Sequence, residues 1–152
     1  MWRGFFFVIP LYLCTRMGRI MGIDFGTKRI GVAATDVLMI SVHGKGTYSP
    51  EAIVDFLDNF LANEEVDKIV IGMPPRPSDL FSRALEKFVA CIASRINSPE
   101  VVFHDEDFTS VEAEQALIAS GASKKQRRNK ELLDEVSAII LLQDYLGHRE
   151  DF

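Results

Sequence analysis

Residues 22–33 read GIDFGTKRIGVA, and they predict how the chain begins to fold. Residues 19–25 form a short, largely apolar run that contains Asp24, and residues 29–35 form a second run rich in small and β-branched residues. Residues 26–28, Gly-Thr-Lys, connect the two runs. Two strands joined by a short, glycine-containing connection are typical of a β-hairpin. We therefore expect the chain to open with an antiparallel pair that places Asp24 near the end of its first strand.

Strands and helices alternate after this hairpin. Residues 39–48 predict a third strand, and the apolar runs 68–72 and 101–103 predict two more. Ser49 and Pro50 suit the start of a helix, because serine caps helix N-termini and proline fits the first helical position. Apolar spacing predicts helices over residues 49–61, 80–96, 110–120 and 132–146, with a charged loop over 124–130. This order predicts an α/β fold, a mixed five-stranded sheet with helices on both faces.

The composition is that of one globular domain. The chain has 152 residues, of which 47% are hydrophobic and 26% are charged, enough for one proper core. Its formal net charge of −5 disfavours a surface coated with basic charge for nucleic acid. Cys14 and Cys91 have neither the spacing of a zinc site nor the number for a disulfide scaffold. We therefore expect a protein of the reducing cytoplasm.

The first sixteen residues, MWRGFFFVIPLYLCTR, differ from the rest of the chain. They contain no acid, two arginines and five of the fifteen aromatic residues. Their apolar run, residues 5–14, is about half of the ~20 residues that span a bilayer, and no small-residue cleavage site follows it. We predict that residues 1–16 are an apolar extension, either a dispensable arm or a start-site artefact with Met17 or Met21 as the true start. An extra structural element and a targeting signal are the alternatives, and residues 17–152 form the single domain.

Three acidic residues stand where the chain direction brings them together. Asp24 ends the first strand, Glu106 follows the last strand, and Asp134 lies in the first turns of the last helix. Ligands of α/β sheets gather at such ends, and Asp134 shares a helix face with Ala138 and Leu141. Carboxylates that converge without basic partners repel one another, and a divalent cation relieves the repulsion. Mg²⁺ and Mn²⁺ prefer oxygen ligands, and a pair of such ions can support phosphodiester cleavage.

Four stretches of the chain resemble motifs of one family of small nucleases, the YqgF (RuvX-type) family. Residues 22–33 are similar to its opening motif, and residues 69–74, IVIGMP, to its central strand and loop. Residues 105–110, DEDFTS, resemble its Asp-Glu-Arg-x-Thr-Thr/Ser element, and residues 133–146 resemble its closing helix. The motifs keep the family's order over residues 18–147, which is nearly the whole chain.

The resemblance implies an RNase H-like fold and metal-dependent cleavage of nucleic acid. It places the family's functional acids on Asp24, Glu106 and Asp134, as catalytic residues and as ligands of Mg²⁺ or Mn²⁺, with two ions expected. The implied role is maturation of the 5′ end of pre-16S ribosomal RNA, and hence ribosome biogenesis. The expected partner is RNA, with branched DNA such as a Holliday junction as the alternative. We expect no membrane partner, and either a monomer or a weak homodimer.

Two departures from the family pattern bear on activity rather than on fold. Asp107 stands where the family usually has arginine, which replaces a phosphate contact by a like charge beside Glu106. Residues 75–79, PRPSD, form a shorter and stiffer loop than the family's glycine- and asparagine-containing one. The acids are kept while the surface around them is altered.

Two groups of basic residues are candidates for phosphate contacts. Five of the seven residues from 124 to 130 are Lys or Arg, directly before the helix that bears Asp134, and a second pair lies on the opening hairpin. Such side chains neutralise phosphates in a salt-sensitive way, and a solvated loop and a plain turn are the alternatives. The predicted nucleic-acid-binding residues are Lys28, Arg29, Lys124, Lys125, Arg127 and Arg128.

Three further residues have structural explanations. His104, at the end of a strand, is expected to make a structural hydrogen bond rather than to transfer protons. Asp36, after the second strand, is expected to be a turn residue. Cys91 falls among apolar helical positions and is expected to be buried.

Two other classes of function stay open. The opening motif is also similar to the first phosphate loop of actin-like and Hsp70-like ATPases, but those enzymes bind nucleotide between two such domains and this chain has room for one. A noncatalytic module that binds RNA or the ribosome is the second alternative, motivated by Asp107 and the altered loop. Three observations distinguish these functions: a nuclease cleaves nucleic acid, an ATP-binding enzyme binds ATP, and a noncatalytic module binds RNA without cleaving it.

Overall fold

The computed structural model describes residues 18–95, 98–105 and 110–150, apart from the side chains of 110, 111 and 148–150. The predicted extension, residues 1–16, lies outside this part of the chain. The strands are β1 (Arg19–Asp24), β2 (Ile30–Thr35), β3 (Val42–Tyr48), β4 (Val66–Met73) and β5 (Glu100–Asp105). The helices are α1 (Ala52–Asn63), α2 (Asp79–Ala93), α3 (Ser110–Ala119), α4 (Lys124–Arg127) and α5 (Lys130–Glu150). None of these helices is both long enough and apolar enough to cross a membrane.

The five strands form one mixed sheet in the order β3-β2-β1-β4-β5. β1 and β2 form the predicted antiparallel hairpin, in which Asp24 pairs with Gly31, and β3 continues it antiparallel to β2. β4 lies parallel to β1, and β5 lies parallel to β4. The carboxyl ends of β1, β4 and β5 therefore meet at one edge of the sheet.

Helices cover both faces of the sheet, as the sequence predicts. One face packs against α1 and α2, and the other packs against α5, which in turn contacts α3. The larger core lies under α1 and α2 and is built from Met21, Ile23, Phe25, Ile30, Val32, Ile53, Leu57, Val66, Ile69, Ile71, Leu85, Phe88 and Ile92. The smaller core lies under α5 and is built from Ile20, Ala33, Val70, Ala138 and Leu142. α5 therefore covers one face of β1, the strand that carries Asp24, and α1 and α2 cover its other face.

The third strand begins later than predicted, at Val42 rather than at Met39. Met39 has a φ of 56°, a left-handed conformation that ends extended pairing. The Oδ1 atom of Asp36 accepts the backbone N–H groups of Ile40 at 2.7 Å and Ser41 at 3.1 Å. Asp36 is thus the turn residue that the sequence predicts, and it lies at the end of the sheet opposite Asp24.

Serine side chains accept backbone N–H groups at the starts of three helices. Ser49 accepts the N–H of Ala52 at 3.1 Å before α1, and Ser78 accepts an N–H of the first turn of α2. Ser123 and Gln126 form a capping box in which each side chain bonds the backbone of the other. The prediction of a charged loop over 124–130 is wrong, because this box starts α4 within that segment and α5 already begins at its last residue.

Candidate active site

Asp24 is the last residue of β1, and its side chain lies on the face covered by α5. Its neighbours Ile23 and Phe25 are buried on the other face, under α1 and α2, and successive side chains of a strand alternate between faces. Asp24 itself is half-buried. This end of β1 lies at the edge that it shares with the ends of β4 and β5. The predicted placement of Asp24 at the carboxyl end of a strand is confirmed.

Asp134 is brought to the same edge by the close approach of α5 to the hairpin. A methyl group added at Gly31 would overlap the backbone oxygen of Asp134. Glycine at this position therefore lets the backbone of the helix touch the strand. Ala138 and Leu141, one and two turns further along α5, are fully buried. The predicted helix face is confirmed, since Asp134 begins a stripe that becomes apolar one turn later.

Asp24 and Asp134 line one surface cavity of 330 Å³. The rest of its lining comes from the connection between β1 and β2. The lining residues are Asp24, Phe25, Gly26, Thr27, Lys28, Arg29 and Asp134. The structure thus brings together two of the three predicted acids and both basic residues predicted on the opening hairpin.

Asp134 is paired with a cation inside this cavity. The Nε atom of Arg29 donates a hydrogen bond to Oδ2 of Asp134 at 2.7 Å. The two side chains are 40% and 25% exposed, so water screens the pair and it contributes at most about 1 kcal/mol to stability. The expectation that the acids converge without basic partners is wrong for Asp134. The partners lie 105 residues apart in the chain, and no local sequence pattern predicts a contact at such a separation.

The third predicted acid, Glu106, and its neighbour Asp107 lie outside the residues that the structure describes. β5 ends at Asp105, in register with Met73 at the end of β4. The axes of β1 and β5 are two strand spacings apart, or roughly 10 Å. Among the described residues no group of three His, Cys, Asp or Glu side chains could hold a metal ion. The described donors of the cavity are two carboxylates, and their oxygens fit Mg²⁺ or Mn²⁺.

His104 connects β5 to α5 close to this edge. Its Nε2 atom and Oδ2 of Asp144 share a hydrogen bond of 2.7 Å, and its ring packs edge-on against Tyr145. The predicted structural hydrogen bond is confirmed. No pattern in the sequence identifies Asp144 as the partner, although Asp144 lies in the family's closing-helix motif and on the helix that covers this face.

The basic residues around α4 lie outside the cavity. Lys124, Lys125 and Arg128 are exposed and Arg127 is half-buried. α4 contacts α3 and α5, and none of its residues lines the cavity. Of the six predicted phosphate-binding residues, Lys28 and Arg29 are therefore beside the acids, and the other four form a separate basic surface before α5.

A second cavity, of 250 Å³, lies on the opposite face of the sheet, under α1 and α2. Its walls are mainly apolar and contain Phe25, Ile30, Val54 and Phe88. Cys91 lines this cavity and is half-buried rather than fully buried as predicted. The described lining of this second cavity contains no carboxylate, so the cavity lined by Asp24 and Asp134 is the better candidate for metal-dependent chemistry.

Comparison with known sequences gives consistent matches over most of the chain. The family model described as "RuvX: Holliday junction resolvase" matches residues 18–148. A protein of Phocaeicola vulgatus is 43% identical over 137 residues, which cover 88% of this chain and 99% of that relative. A protein of Bacteroides fragilis is 39% identical over 133 residues, which cover 86% and 96%. Both relatives carry the name "Putative pre-16S rRNA nuclease".

Solved structures with similar folds include two resolvases bound to DNA. The fowlpox virus resolvase in complex with Holliday junction DNA has a TM-score of 0.56 at 13% identity, covering 86% of this chain and 97% of that one. RuvC of T. thermophilus in complex with a Holliday junction substrate has a TM-score of 0.50 at 14% identity, covering 86% and 96%. At such identities the similarity concerns the fold, and it confirms the predicted RNase H-like architecture.

Proposed function

This chain belongs to the RuvX family of Holliday junction resolvases, and from that membership we propose that it is a metal-dependent nuclease that hydrolyses phosphodiester bonds. The observation that carries the proposal is the cavity shared by Asp24 and Asp134. Two carboxylates from distant parts of the chain meet there beside two basic residues. Carboxylates can hold a cation, and Lys and Arg side chains can hold a phosphate. The cavity therefore contains the two kinds of side chain that a phosphodiester-cleaving site needs.

The donor set of the cavity suits a hard divalent cation. The carboxylates of Asp24 and Asp134 would hold Mg²⁺ or Mn²⁺, because these ions prefer oxygen ligands. Glu106 is proposed as the third ligand, since it directly follows β5, whose carboxyl end lies at the same edge of the sheet. When bound, such ions, two in our proposal, would activate water and stabilise the leaving oxygen.

The chain's own residues orient the reacting groups. β1 fixes Asp24, and the contact of α5 with Gly31 fixes Asp134, so both acids stand on rigid elements. Lys28 and Arg29 line the same cavity and would bind the phosphate beside the scissile bond through charge-assisted hydrogen bonds. The basic residues Lys124, Lys125, Arg127 and Arg128 would hold phosphates further along the strand.

We propose RNA as the natural substrate, and maturation of the 5′ end of pre-16S ribosomal RNA as the biological role. The names of the relatives from Phocaeicola vulgatus and Bacteroides fragilis support this choice. The family description and the two DNA-bound structures support branched DNA as the second candidate. The proposed location is the cytoplasm, and the proposed state is a monomer or a weak homodimer.

The experiment that tests the proposal is a cleavage assay on a structured pre-rRNA fragment and on a four-way DNA junction, in Mg²⁺ and in Mn²⁺. We expect Asp24→Asn and Asp134→Asn each to lower the cleavage rate at least about 100-fold, because the loss of a metal ligand removes several kcal/mol of transition-state stabilisation. Asp36→Asn is the matched control, since Asp36 lies in a turn at the other end of the sheet.

Three outcomes of the assay have distinct meanings. Cleavage by the wild type that is lost in both site variants and kept in Asp36→Asn supports the proposal. Cleavage that persists in Asp24→Asn contradicts it. Binding of RNA without cleavage in either metal would instead select a noncatalytic RNA-binding module, the alternative that Asp107 favours.

A further inference from the structure

The ion pair between Arg29 and Asp134 joins two groups whose proposed tasks differ. Asp134 is proposed to hold a cation, and Arg29 is proposed to hold a phosphate, yet their side chains bind each other at 2.7 Å. Arg29 directly precedes β2, and two residues further on Gly31 touches the backbone of Asp134. The pair therefore lies at the point where α5 meets the hairpin.

We propose that Arg29 competes with the divalent cation for Asp134, so that metal binding and phosphate binding depend on one another. This inference rests on the proposed function. A cation bound to the Asp134 carboxylate would lie roughly 5 Å from the guanidinium, where the two like charges repel each other through partly screening water. A metal ion that binds Asp134 therefore weakens the ion pair between Arg29 and Asp134.

A released Arg29 has an alternative partner within the same cavity. Its side chain is 40% exposed, so a phosphate of bound nucleic acid can reach it. Guanidinium binds phosphate through charge-assisted and often bidentate hydrogen bonds. Arg29 thus exchanges one anion, the carboxylate, for another, the phosphate. Coupling of this kind is reciprocal, so nucleic acid that draws Arg29 away also makes Asp134 more available to metal.

The first arm of the test measures Mn²⁺ binding by calorimetry, without nucleic acid. We expect Arg29→Gln to bind Mn²⁺ about two- to fivefold more tightly than the wild type, because a partly exposed ion pair contributes up to about 1 kcal/mol. Arg29→Lys keeps the charge and should restore at least part of the weaker affinity. Lys28→Gln is the matched control, because it removes the same charge from the same cavity without the hydrogen bond to Asp134. It should change the affinity by less than about twofold.

The second arm measures the binding of a single-stranded RNA oligonucleotide in EDTA, where no cleavage occurs. In the wild type Asp134 holds Arg29, so Arg29→Gln should cost less than about twofold in affinity. In the Asp134→Asn background the guanidinium is released, and the same substitution should cost about five- to tenfold, the value of one charge-assisted phosphate contact. This double-mutant cycle isolates the competition from the general effect of adding or removing charge.

The two arms separate failure of this inference from failure of the proposed function. Suppose that the wild type binds Mn²⁺ and that Asp24→Asn does not. If Arg29→Gln then binds Mn²⁺ no more tightly than the wild type, Arg29 does not compete with the cation and the inference is wrong. If Arg29→Gln costs the same affinity for RNA in both backgrounds, the exchange of partners is contradicted. If Mn²⁺ binds none of the proteins, the proposed metal site fails, and the competition fails with it. Near-ultraviolet circular dichroism verifies that each variant is folded.

Discussion

Single glycines decide how closely α5 approaches the sheet and therefore where Asp134 lies. A methyl group at Gly22 would lie 2.8 Å from the Cβ atom of Leu142, and one at Gly31 would overlap the backbone oxygen of Asp134. Both glycines belong to the opening stretch 22–33. Both glycines thus make room for α5, the helix that carries Asp134.

Gly31→Ala should displace α5 and lower both stability and activity. We expect a loss of about 1–3 kcal/mol in the free energy of unfolding, the usual cost of overpacking a tight contact, measured by urea denaturation. Gly147→Ala is the control, because nothing lies within 4 Å of a methyl group added there and alanine favours a helix. It should stabilise the protein by up to about 1 kcal/mol. Equal stability of the two variants would contradict the close contact.

Tyr48 is the residue whose titration reports on the contact between β3 and α5. Burial raises the pKa of its phenol above 10.0, and the carboxylate of Glu135 on α5 raises it further. The raised pKa favours the neutral phenol in the folded state. The neutral phenol of Tyr48 therefore contributes fully to stability below pH 10, which is near the ordinary pKa of tyrosine. This contribution is lost as the pH rises through the pKa of the folded state.

We expect the tyrosinate absorbance of Tyr48, taken as the difference between the wild type and Tyr48→Phe, to rise with a midpoint above pH 10. Glu135→Gln should lower this midpoint, because it removes the neighbouring negative charge while keeping the side chain's size. A midpoint that does not move in Glu135→Gln would show that the carboxylate does not act on the phenol.

At the scale of elements, α4 shows how a short helix can be missed in a run of charge. Five basic residues in seven suggest a solvated loop, and their net repulsion argues against a helix. The capping box of Ser123 and Gln126 nevertheless starts a helical turn. The spacing Ser-x-x-Gln was visible in the sequence as a helix-start signal. The boundary of β3 was not visible in the same way, because the left-handed residue Met39 lies in a turn held by Asp36. The N–H of Met39 donates to the backbone oxygen of Asp36, and the N–H groups of Ile40 and Ser41 donate to its side chain.

The basic surface formed by Lys124, Lys125, Arg127 and Arg128 should govern the salt dependence of nucleic-acid binding. Replacing all four by glutamine should reduce the slope of log affinity against log salt by up to about three for single-stranded RNA, since each phosphate contact contributes about 0.7. Fluorescence anisotropy in EDTA at several KCl concentrations measures the slope. The control is Arg83→Gln with Lys87→Gln, two exposed residues of α2 on the opposite face. An unchanged slope in the fourfold variant would place phosphate binding elsewhere.

At the scale of the whole molecule, the opening hairpin, the alternation of strands and helices and the two-sided core were all predictable from apolar periodicity. The meeting of Asp24 and Asp134 was predictable because strand ends and helix starts converge at one edge. Their role as functional acids is implied by the resemblance of the motifs to the family. The partner of Asp134 was not, since Arg29 lies 105 residues away and its contact arises only when α5 packs on β2. The sequence therefore indicates where charges gather, while the packed structure decides which charges touch.

The fold should begin at residue 17 or 18 rather than at residue 21. Gly18 donates its N–H to Asp67 at 2.8 Å, and Ile20 is buried and bonded to Thr35. A protein of residues 17–152 should keep the thermal midpoint of the full chain to within about 2 °C and keep its activity. A protein of residues 21–152 loses these contacts and should melt several degrees lower. Calorimetric melting of both proteins tests the prediction, and a large loss in the first would make residues 1–16 part of the fold.

Asp24 and Asp134 are proposed to hold a divalent cation at the shared edge of the sheet. The most direct measurement is the anomalous diffraction of a crystal soaked in Mn²⁺. We predict a peak with an oxygen of each carboxylate about 2.0–2.3 Å away, and with Glu106 as a further ligand. Arg29 should then no longer be bonded to Asp134. A peak elsewhere on the molecule, or carboxylates more than about 10 Å apart, which is too far to share a close metal pair, would contradict the claim.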